Sequence, residues 1–285
     1  RPRRRHVGAA APPRSIRVRA APPQDPFARQ VLDEDLVDLI VEHGDSKDGA
    51  DSALEALKAW LGTQPDVEER DAGDETLIIR ACDSSFTEAA EILIAHGANV
   101  NAVAHYDGCT PLQIICHTDG TDRIERIRLA SLFVSSGADV NQYTDRQPEP
   151  PIIMLSRLDP NLEMLTIFLR AGASPNALTR KGVDLVSLLA EESRHFANLP
   201  YDNPDIQARI SHLDACRDLV LAVREAGSWR DYCRGPHRAL LRLRSLRARG
   251  RALSTPATPR HVELLLTALP DGVLWNVLTF WHAVD

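Results

Sequence analysis

A five-residue phrase recurs three times along this chain and limits what the chain can fold into. The copies are Gly97-Ala98-Asn99-Val100-Asn101, Gly137-Ala138-Asp139-Val140-Asn141 and Gly172-Ala173-Ser174-Pro175-Asn176. They lie 35 to 40 residues apart, and a period of that length indicates stacked structural units. Because stacked units build an extended surface, the repeat favours a protein that holds another molecule over one that catalyses a reaction.

Two apolar positions align across four units and support this period. The first position is filled by Val67, Val100, Val140 and Pro175, at spacings of 33, 40 and 35 residues. The second position is filled by Leu77, Leu112, Ile152 and Val186, at spacings of 35, 40 and 34 residues. Four aligned units exceed the roughly three that a stable array needs.

The residues between these positions predict two short antiparallel helices and a projecting loop in each unit. Thr110 can cap a first helical turn with its hydroxyl, and Pro111 takes a helix-start position where a missing N–H is harmless. The glycine of each phrase follows an apolar helix, where a left-handed residue is needed to leave the helix. Polar links such as residues 104–108 then form hairpin fingers.

These motifs resemble those of the ankyrin repeat family. Residues 108–116, Gly-Cys-Thr-Pro-Leu-Gln-Ile-Ile-Cys, are similar to the start of its first helix. Residues 92–101, 132–141 and 168–176 are similar to the end of its second helix and the following turn. The resemblance covers about residues 60–228. It implies an all-α ankyrin solenoid of stacked helix-turn-helix units that binds a partner protein through its finger loops and concave face.

Some parts of the array depart from the family pattern. Residues 66–71 lack the Gly-Ala pair, so the first unit is degenerate. Insertions between His117 and Arg123 and over residues 191–205 lengthen two later units. We expect the second insertion either to contact a partner or to form an inert bulge. The last array helix is predicted over about residues 206–225.

Three segments are predicted along the chain. Residues 1–27 form a disordered, basic, Pro-rich segment that also has the arginine and alanine content of an organelle transit peptide. Residues 28–228 form the ankyrin domain, which opens with a helical hairpin whose second helix is expected to start at Asp51-Ser52. Residues 229–285 form an Arg-rich helical C-terminal segment, in which Gly235-Pro236 is expected to break the helix.

Two stretches of the C-terminal segment predict amphipathic helices. The first, residues 238–249, divides leucines from arginines, and the second is residues 269–281. The second is similar to the opening of an F-box, and residues 228–233 partly match a helix of the suppressor-of-cytokine-signalling box. We expect this segment to cap the array. In the alternative it recruits ubiquitin ligase subunits, making the protein a substrate receptor of a cullin-type ubiquitin ligase; nucleic-acid or acidic-lipid contact is a further alternative.

Charge is distributed unevenly. Residues 1–24 hold seven arginines and no acid, residues 229–251 hold eight arginines and one acid, and residues 25–228 hold 17 bases and 36 acids. An acidic middle repels nucleic acid and anionic membranes, so it either stays solvated or meets a partner with a basic surface. No apolar run approaches the ~18 residues of a membrane span. Five cysteines without a CxxC or a signal peptide indicate reduced thiols, and we expect a cytoplasmic location, with nuclear or organellar ones left open.

Motifs for catalysis are missing from the sequence. It has no phosphate loop, no serine-nucleophile elbow and no HExxH. We therefore expect no enzyme activity, no cofactor and no metal. One alternative is a zinc site, because His212-x3-Cys216 and Cys233-x3-His237 give two ligand pairs that could converge tetrahedrally.

The fingers supply the candidate partner-binding residues, because loops of such arrays are exposed. The candidates are His105, Tyr106 and Asp107 in one finger, Tyr143, Thr144, Asp145 and Arg146 in the next, and Leu178, Thr179, Arg180 and Lys181 in a third. Each of them could equally be inert. The predicted function is non-catalytic protein–protein interaction.

Overall fold

Helices account for all the regular structure that the computed structural model describes, which covers residues 34–42, 47–117, 122–158, 160–199 and 203–249. They are α1 (Glu34–Val41), α2 (Lys47–Leu61), α3 (Leu77–Asp83), α4 (Thr87–Ala95), α5 (Pro111–His117), α6 (Arg123–Ser135), α7 (Pro151–Leu158), α8 (Leu162–Arg170), α9 (Leu185–Ala197), α10 (Pro204–Ala226) and α11 (Trp229–Ala248). Within those ranges there is no β-strand, only isolated antiparallel bridges. The all-α expectation is confirmed.

The chain forms two compact units, divided between Pro151 and Ile152. In the first unit α3 packs on α4 and α5 packs on α6. Each of these helices also packs on its counterpart in the next pair, α3 on α5 and α4 on α6, while α1 contacts α3 and α2 contacts α4. In the second unit α10 packs on α8, α9 and α11.

Both units bury aliphatic cores with a phenylalanine in each. The first core includes Leu57, Leu77, Ile79, Leu93, Leu112, Ile115 and Phe133, and the second includes Ile152, Leu165, Phe168, Leu185, Leu189 and Val220. Full burial of one such side chain contributes about 1.5–3 kcal/mol relative to exposure. The helix pairs are therefore held by packing of their apolar faces, because helices of seven to nine residues are marginal on their own.

The repeated phrase folds into the same local structure in all three copies. Its glycines, Gly97, Gly137 and Gly172, have φ of +92°, +90° and +98°, as expected of left-handed helix ends. The residue two positions after each glycine carries a side-chain oxygen. That oxygen accepts a hydrogen bond from the backbone N–H of the residue two positions further along the chain. The pairs are Asn99 with Asn101, Asp139 with Asn141 and Ser174 with Asn176, at 3.0, 2.9 and 3.3 Å.

The degenerate unit keeps part of this geometry. Asp66 Oδ1 accepts from the N–H of Glu68 at 3.0 Å, which reproduces the turn without the Gly-Ala pair. Glu68 Oε1 then accepts from the N–H of Asn99, and Asn101 Oδ1 accepts from the N–H of Asp139, both at 2.8 Å. Successive turns of the first unit are thus linked by one hydrogen bond each.

The predicted cap at Thr110 is present and is reciprocal. The Thr110 hydroxyl accepts from the N–H of Gln113 at 3.4 Å, and Gln113 Oε1 accepts from the N–H of Thr110 at 2.8 Å. This is a capping box, which satisfies two N–H groups at the helix start. The Gln113 side chain is fully buried, and its Nε2 donates to the carbonyl of Glu149 at 2.6 Å.

One predicted helix start was wrong, and one predicted anchor is only half-buried. α2 begins at Lys47, not at Asp51-Ser52. Aspartate and serine are only weakly unfavourable in a helix interior, so the helix extends through them. At the fourth anchor position Val186 is half-buried, and the residue before it, Leu185, is fully buried. Asp184 Oδ1 accepts from the N–H of Ser187 at 3.0 Å, and α9 begins at Leu185, one residue before the anchor, as α5 and α7 begin one residue before theirs.

Two predicted interruptions are also corrected. The insertion assigned to residues 191–205 is helical at its start, because α9 continues to Ala197. α11 runs continuously through Gly235-Pro236, which was expected to break it. A proline inside a helix removes one hydrogen bond and kinks the helix without necessarily ending it, and packing of α11 on α8 and α10 stabilises the helix here. The predictions for residues 1–27 and 269–281 lie outside the described residues.

Candidate functional site

Hairpin fingers join the helix pairs and carry the candidate residues. In the finger before α3, an antiparallel bridge joins Arg70 to Thr76. The finger before α5 is closed by the N–H of Ala104 donating to the carbonyl of Cys109 at 2.9 Å, and the finger before α7 by the N–H of Thr144 donating to the carbonyl of Gln147 at 3.0 Å. We call these the first, second and third fingers. All three belong to the first unit.

An open cleft of about 530 Å³ lies between these three fingers. Its walls are Arg70, Asp74, Val103, Ala104, His105, Gly108, Thr144, Asp145 and Arg146. Four of the predicted candidates, His105, Thr144, Asp145 and Arg146, are therefore brought together. The volume matches the few hundred cubic ångströms of sites that hold small molecules or parts of a peptide chain.

The second and third fingers are locked together by hydrogen bonds. The Thr144 hydroxyl donates to the carbonyl of Gly108 at 2.7 Å, and Arg146 Nη1 donates to the carbonyl of His105. Gly108 allows this approach because it has no side chain. A Cβ at that position would lie 2.6 Å from Arg146 Cβ, and its φ of +74° also favours glycine.

A buried carboxylate joins the first finger to the second. Glu75 is 5% exposed, and its Oε1 accepts from the backbone N–H groups of His105 and Tyr106 at 2.8 and 3.1 Å. Nearer the surface, His105 Nδ1 lies 3.0 Å from Asp74 Oδ2. The cleft walls are thus held by hydrogen bonds from side chains to backbone groups, and the exposed side chains of the fingers remain available for contact.

Exposure separates the candidate residues into outer and inner ones. Tyr106 is 91% exposed and Tyr143 is 63% exposed, and His105, Asp107, Asp145 and Arg146 are exposed too. Thr144 is half-buried: its hydroxyl donates to the carbonyl of Gly108 in the second finger and accepts from the N–H of Gln147 within its own finger.

The finger of the second unit holds the remaining candidates. Leu178 is 53% exposed, and Arg180 and Lys181 are exposed. Thr179 was expected to be exposed but is buried. Its Oγ1 accepts from the N–H of Val183 at 3.0 Å, so the hydroxyl closes this finger and does not face a partner.

Asp83, at the end of α3, and Cys109, at the end of the second finger, both have raised pKa values. Loss of hydration raises the pKa of the Asp83 carboxyl, and the nearby charges of Asp107 and Glu75 raise it further against the opposing charge of Arg80. Burial raises the pKa of the Cys109 thiol to about 12, with help from the charge of Asp107. The thiol is therefore protonated and inert near neutral pH.

The carboxylate of Asp71, at the base of the first finger, is held in its charged form. Burial alone would raise the pKa of Asp71, but the hydrogen bond from Arg80 and that from the backbone of Glu75 hold it below its usual value. The Arg80 Nε to Asp71 Oδ2 distance is 2.7 Å. This pair braces the base of the first finger, because Asp71 Oδ1 also accepts from the N–H of Glu75 at 2.9 Å.

Sequence reasoning did not identify four residues of the cleft and its support. Arg70, Asp74 and Glu75 lie in the degenerate unit, whose weak match to the repeat gave no candidate finger residues. Val103, which is 38% exposed, precedes the stretch chosen as a finger. The available signal was the alignment itself, since these positions correspond to finger positions of the next unit.

Residues that could ligate a metal are dispersed in the part of the chain that the structure describes. Within that part there is no group of three or more His, Cys, Asp or Glu side chains that could hold a metal ion. Of the proposed zinc ligands, His212 Nε2 accepts from the N–H of Leu162 at 3.2 Å and Cys216 is fully buried. The His237 side chain is outside the described part. None of the helices in the described ranges is long and apolar enough to cross a membrane.

Comparison of the whole chain with known protein families and with curated proteins finds no match in either case.

Proposed function

We propose that this protein is an ankyrin-like repeat protein that binds another protein through its fingers and performs no chemistry of its own. Support for the repeat architecture comes from the helix pairs α3–α4 and α5–α6, each packed on its counterpart in the next pair. Further support comes from three copies of one glycine-ended turn and from the hydrogen bonds that link successive turns. These contacts connect neighbouring units, as stacking requires.

The cleft between three successive fingers carries the functional proposal. Its walls are fixed by bonds to backbone groups, from Glu75 on one side and from Thr144 and Arg146 on the other. A preorganised surface loses little conformational entropy when it binds. Tyr106 and Tyr143 each directly neighbour in sequence a residue that lines the cleft, and most of their surface is in water. Tyrosine is one of the residues enriched among the anchors of protein interfaces.

Quantitative affinity purification from source-cell lysate tests this function. The bait is the full chain, compared with a Tyr106→Ala/Tyr143→Ala variant. The matched control is Ile124→Ala, because Ile124 is 65% exposed on α6 and lies outside the fingers. We expect proteins that the wild type and the control recover and the tyrosine variant loses. Equal recovery by all three baits would refute binding through the fingers.

A second candidate is the substrate receptor of a cullin-type ubiquitin ligase. One observation favours it: α11 is continuous from Trp229 to Ala248, as the Cys-bearing helix before the Leu-Pro turn of a suppressor-of-cytokine-signalling box should be. Truncation after Arg249 removes the F-box-like residues 269–281 and keeps every described helix. Ligase subunits recovered only by the full chain would support recruitment, and their absence from both baits would refute it.

A further inference from the structure

Five arginines lie in a row along one side of α11 and the residue that follows it. Arg230, Arg234, Arg238 and Arg242 are spaced four residues apart, and positions four apart share one side of a helix. Arg249 comes two turns after Arg242, and its N–H donates to the carbonyl of residue 245 at 3.2 Å, which continues the helical geometry. We call these five residues the arginine row. At 1.5 Å per residue the row is about 28 Å long.

The arginine row coincides with the exposed side of α11. Arg230, Arg242 and Arg249 are exposed, and Arg234 is half-buried. The other side of the helix is occupied within the second unit, because α11 packs on α8 and α10. The row is therefore open to a binding partner.

These four described guanidinium groups lack an acidic partner. Among the residues that the structure describes, none of the four forms an ion pair or a side-chain hydrogen bond. Asp231 is the one acid in the sequence of α11, and its Oδ2 accepts from Ser228 Oγ at 2.9 Å. In α10, by contrast, Arg217 Nη1 lies 2.7 Å from Asp214 Oδ1. The positive charge of the row is thus left without neutralisation.

Helix stability alone does not account for such a row. Like charges four residues apart on a helix repel each other, and three successive pairs of this kind occur between positions 230 and 242. Arg230 also lies in the first turn of α11, where the helix dipole disfavours a cation. A bound polyanion would relieve both effects.

We propose that the arginine row binds the phosphate backbone of a nucleic acid without reading its base sequence. Planar guanidinium groups bond phosphate oxygens in pairs. Over about 28 Å a DNA duplex carries about 17 phosphate charges, so each arginine of the row can meet one. This surface belongs to the second unit, and the inference does not depend on binding through the fingers.

The charge balance of the two units differs in sign. Residues 34–151 hold 8 bases and 24 acids, a net of −16, whereas residues 152–249 hold 15 bases and 11 acids, a net of +4. A polyanion is therefore attracted to the second unit and repelled by the first. At physiological salt, charges further than about 8 Å away are largely screened, so acids elsewhere do not prevent contact with the row.

Other anionic partners match this surface less well. A helix that binds a membrane surface inserts a broad apolar face. Of the described side chains of α11, Leu246 is the one large apolar group that is exposed, at 39%. An acidic protein would have to present carboxylates along about 28 Å, whereas a nucleic acid carries regular charge along its whole length.

Fluorescence anisotropy with a labelled DNA duplex of about 16 base pairs tests the proposal on the full chain. The association constant is measured between about 0.05 and 0.3 M salt. We expect its logarithm to fall linearly with the logarithm of salt concentration, by about 0.9 for each phosphate contacted. A second duplex of unrelated sequence should bind within about twofold, because backbone contacts carry no sequence information.

Matched variants locate the contact. Arg242→Gln/Arg249→Gln removes two exposed charges of the row, and glutamine has about the helix propensity of arginine. The control is Arg157→Gln/Arg194→Gln, because both arginines are exposed in the second unit, on α7 and α9. We expect the row variant to bind at least about tenfold more weakly at 0.1 M salt, with a salt slope shallower by about 1.8. The control should keep the wild-type slope.

Urea unfolding and a lysine variant separate a lost contact from a damaged fold. The row variant should be no less stable than the wild type, because repulsion along the helix is reduced. Arg242→Lys/Arg249→Lys should keep the wild-type salt slope, because the charges remain.

The results that would overturn the proposal are equally specific. A row variant with the wild-type salt slope would place any duplex binding elsewhere, for instance on the arginines of residues 1–24. Row-dependent binding of a polyglutamate peptide or of phosphatidylserine vesicles, as tight as that of the duplex, would show that the row does not select nucleic acid.

Discussion

Gly108 is the residue whose replacement best tests how the fingers are held. It lies at a φ of +74°, and a Cβ built there would be 2.6 Å from Arg146 Cβ and 3.2 Å from both Arg146 Cδ and Thr144 Oγ1. Gly108→Ala therefore introduces two separate costs. One is a left-handed backbone for a residue with a side chain, and the other is a collision with the third finger.

The expected magnitude follows from these two costs. A left-handed alanine costs about 1–2 kcal/mol, offset by about 0.4–1 kcal/mol because alanine also restricts the unfolded chain. Gly137 has a φ of +90° with nothing within 4 Å of the added Cβ. Gly137→Ala should therefore lower the unfolding free energy only by the difference between this cost and this offset, about 1 kcal/mol. The collision at position 108 adds about 1–3 kcal/mol, as for other overpacked sites.

Urea unfolding of the wild type and the two alanine variants measures the difference. We expect Gly108→Ala to be less stable than Gly137→Ala by at least about 1 kcal/mol. We also expect Gly108→Ala to bind its partner more weakly, because the second and third fingers must separate. Equal loss of stability in the two variants would refute the close contact between these fingers.

Three further predictions concern the support of the fingers and the thiols. Gln113→Ala should lower the unfolding free energy by about 2–3 kcal/mol in urea, because buried backbone groups lose their partner; a loss below about 1 kcal/mol would contradict the bonding described. The pKa of Asp71 is lowered, so its bond to Arg80 stabilises the fold above about pH 4 and is lost as pH falls through the folded pKa. Asp71→Asn should thus cost about 2 kcal/mol at pH 7 and little near pH 2, and a difference independent of pH would refute this. Under native conditions a thiol reagent should modify half-buried Cys233 before Cys109, whose pKa is about 12; mass spectrometry that finds Cys109 modified first would contradict it.

Much of the helical pattern was predictable because its signals are local. Left-handed glycines such as Gly137 and the cap at Thr110 act within one helical turn. The stretch around Gly235-Pro236 was misjudged for the opposite reason. Packing of α11 on distant helices stabilises a helix that local propensity disfavours.

The candidate site was only partly predictable. Exposed finger tips such as Tyr106 follow from loop position, because loops run over the surface. The role of Glu75 was not foreseen, since it depends on a contact with backbone 30 residues further along the chain. Thr179 was misjudged because a hydroxyl in a loop can close its own turn, and nothing in the residue type separates that role from contact with a partner.

The central claim is that the fingers of the first unit hold a partner protein. Hydrogen–deuterium exchange on the full chain tests it most directly, measured alone and with the protein that the wild-type bait recovers. We expect slower exchange over residues 103–108 and 143–147, with little change in α10 and α11. Protection confined to α9, α10 and α11, with the fingers unchanged, would contradict the account.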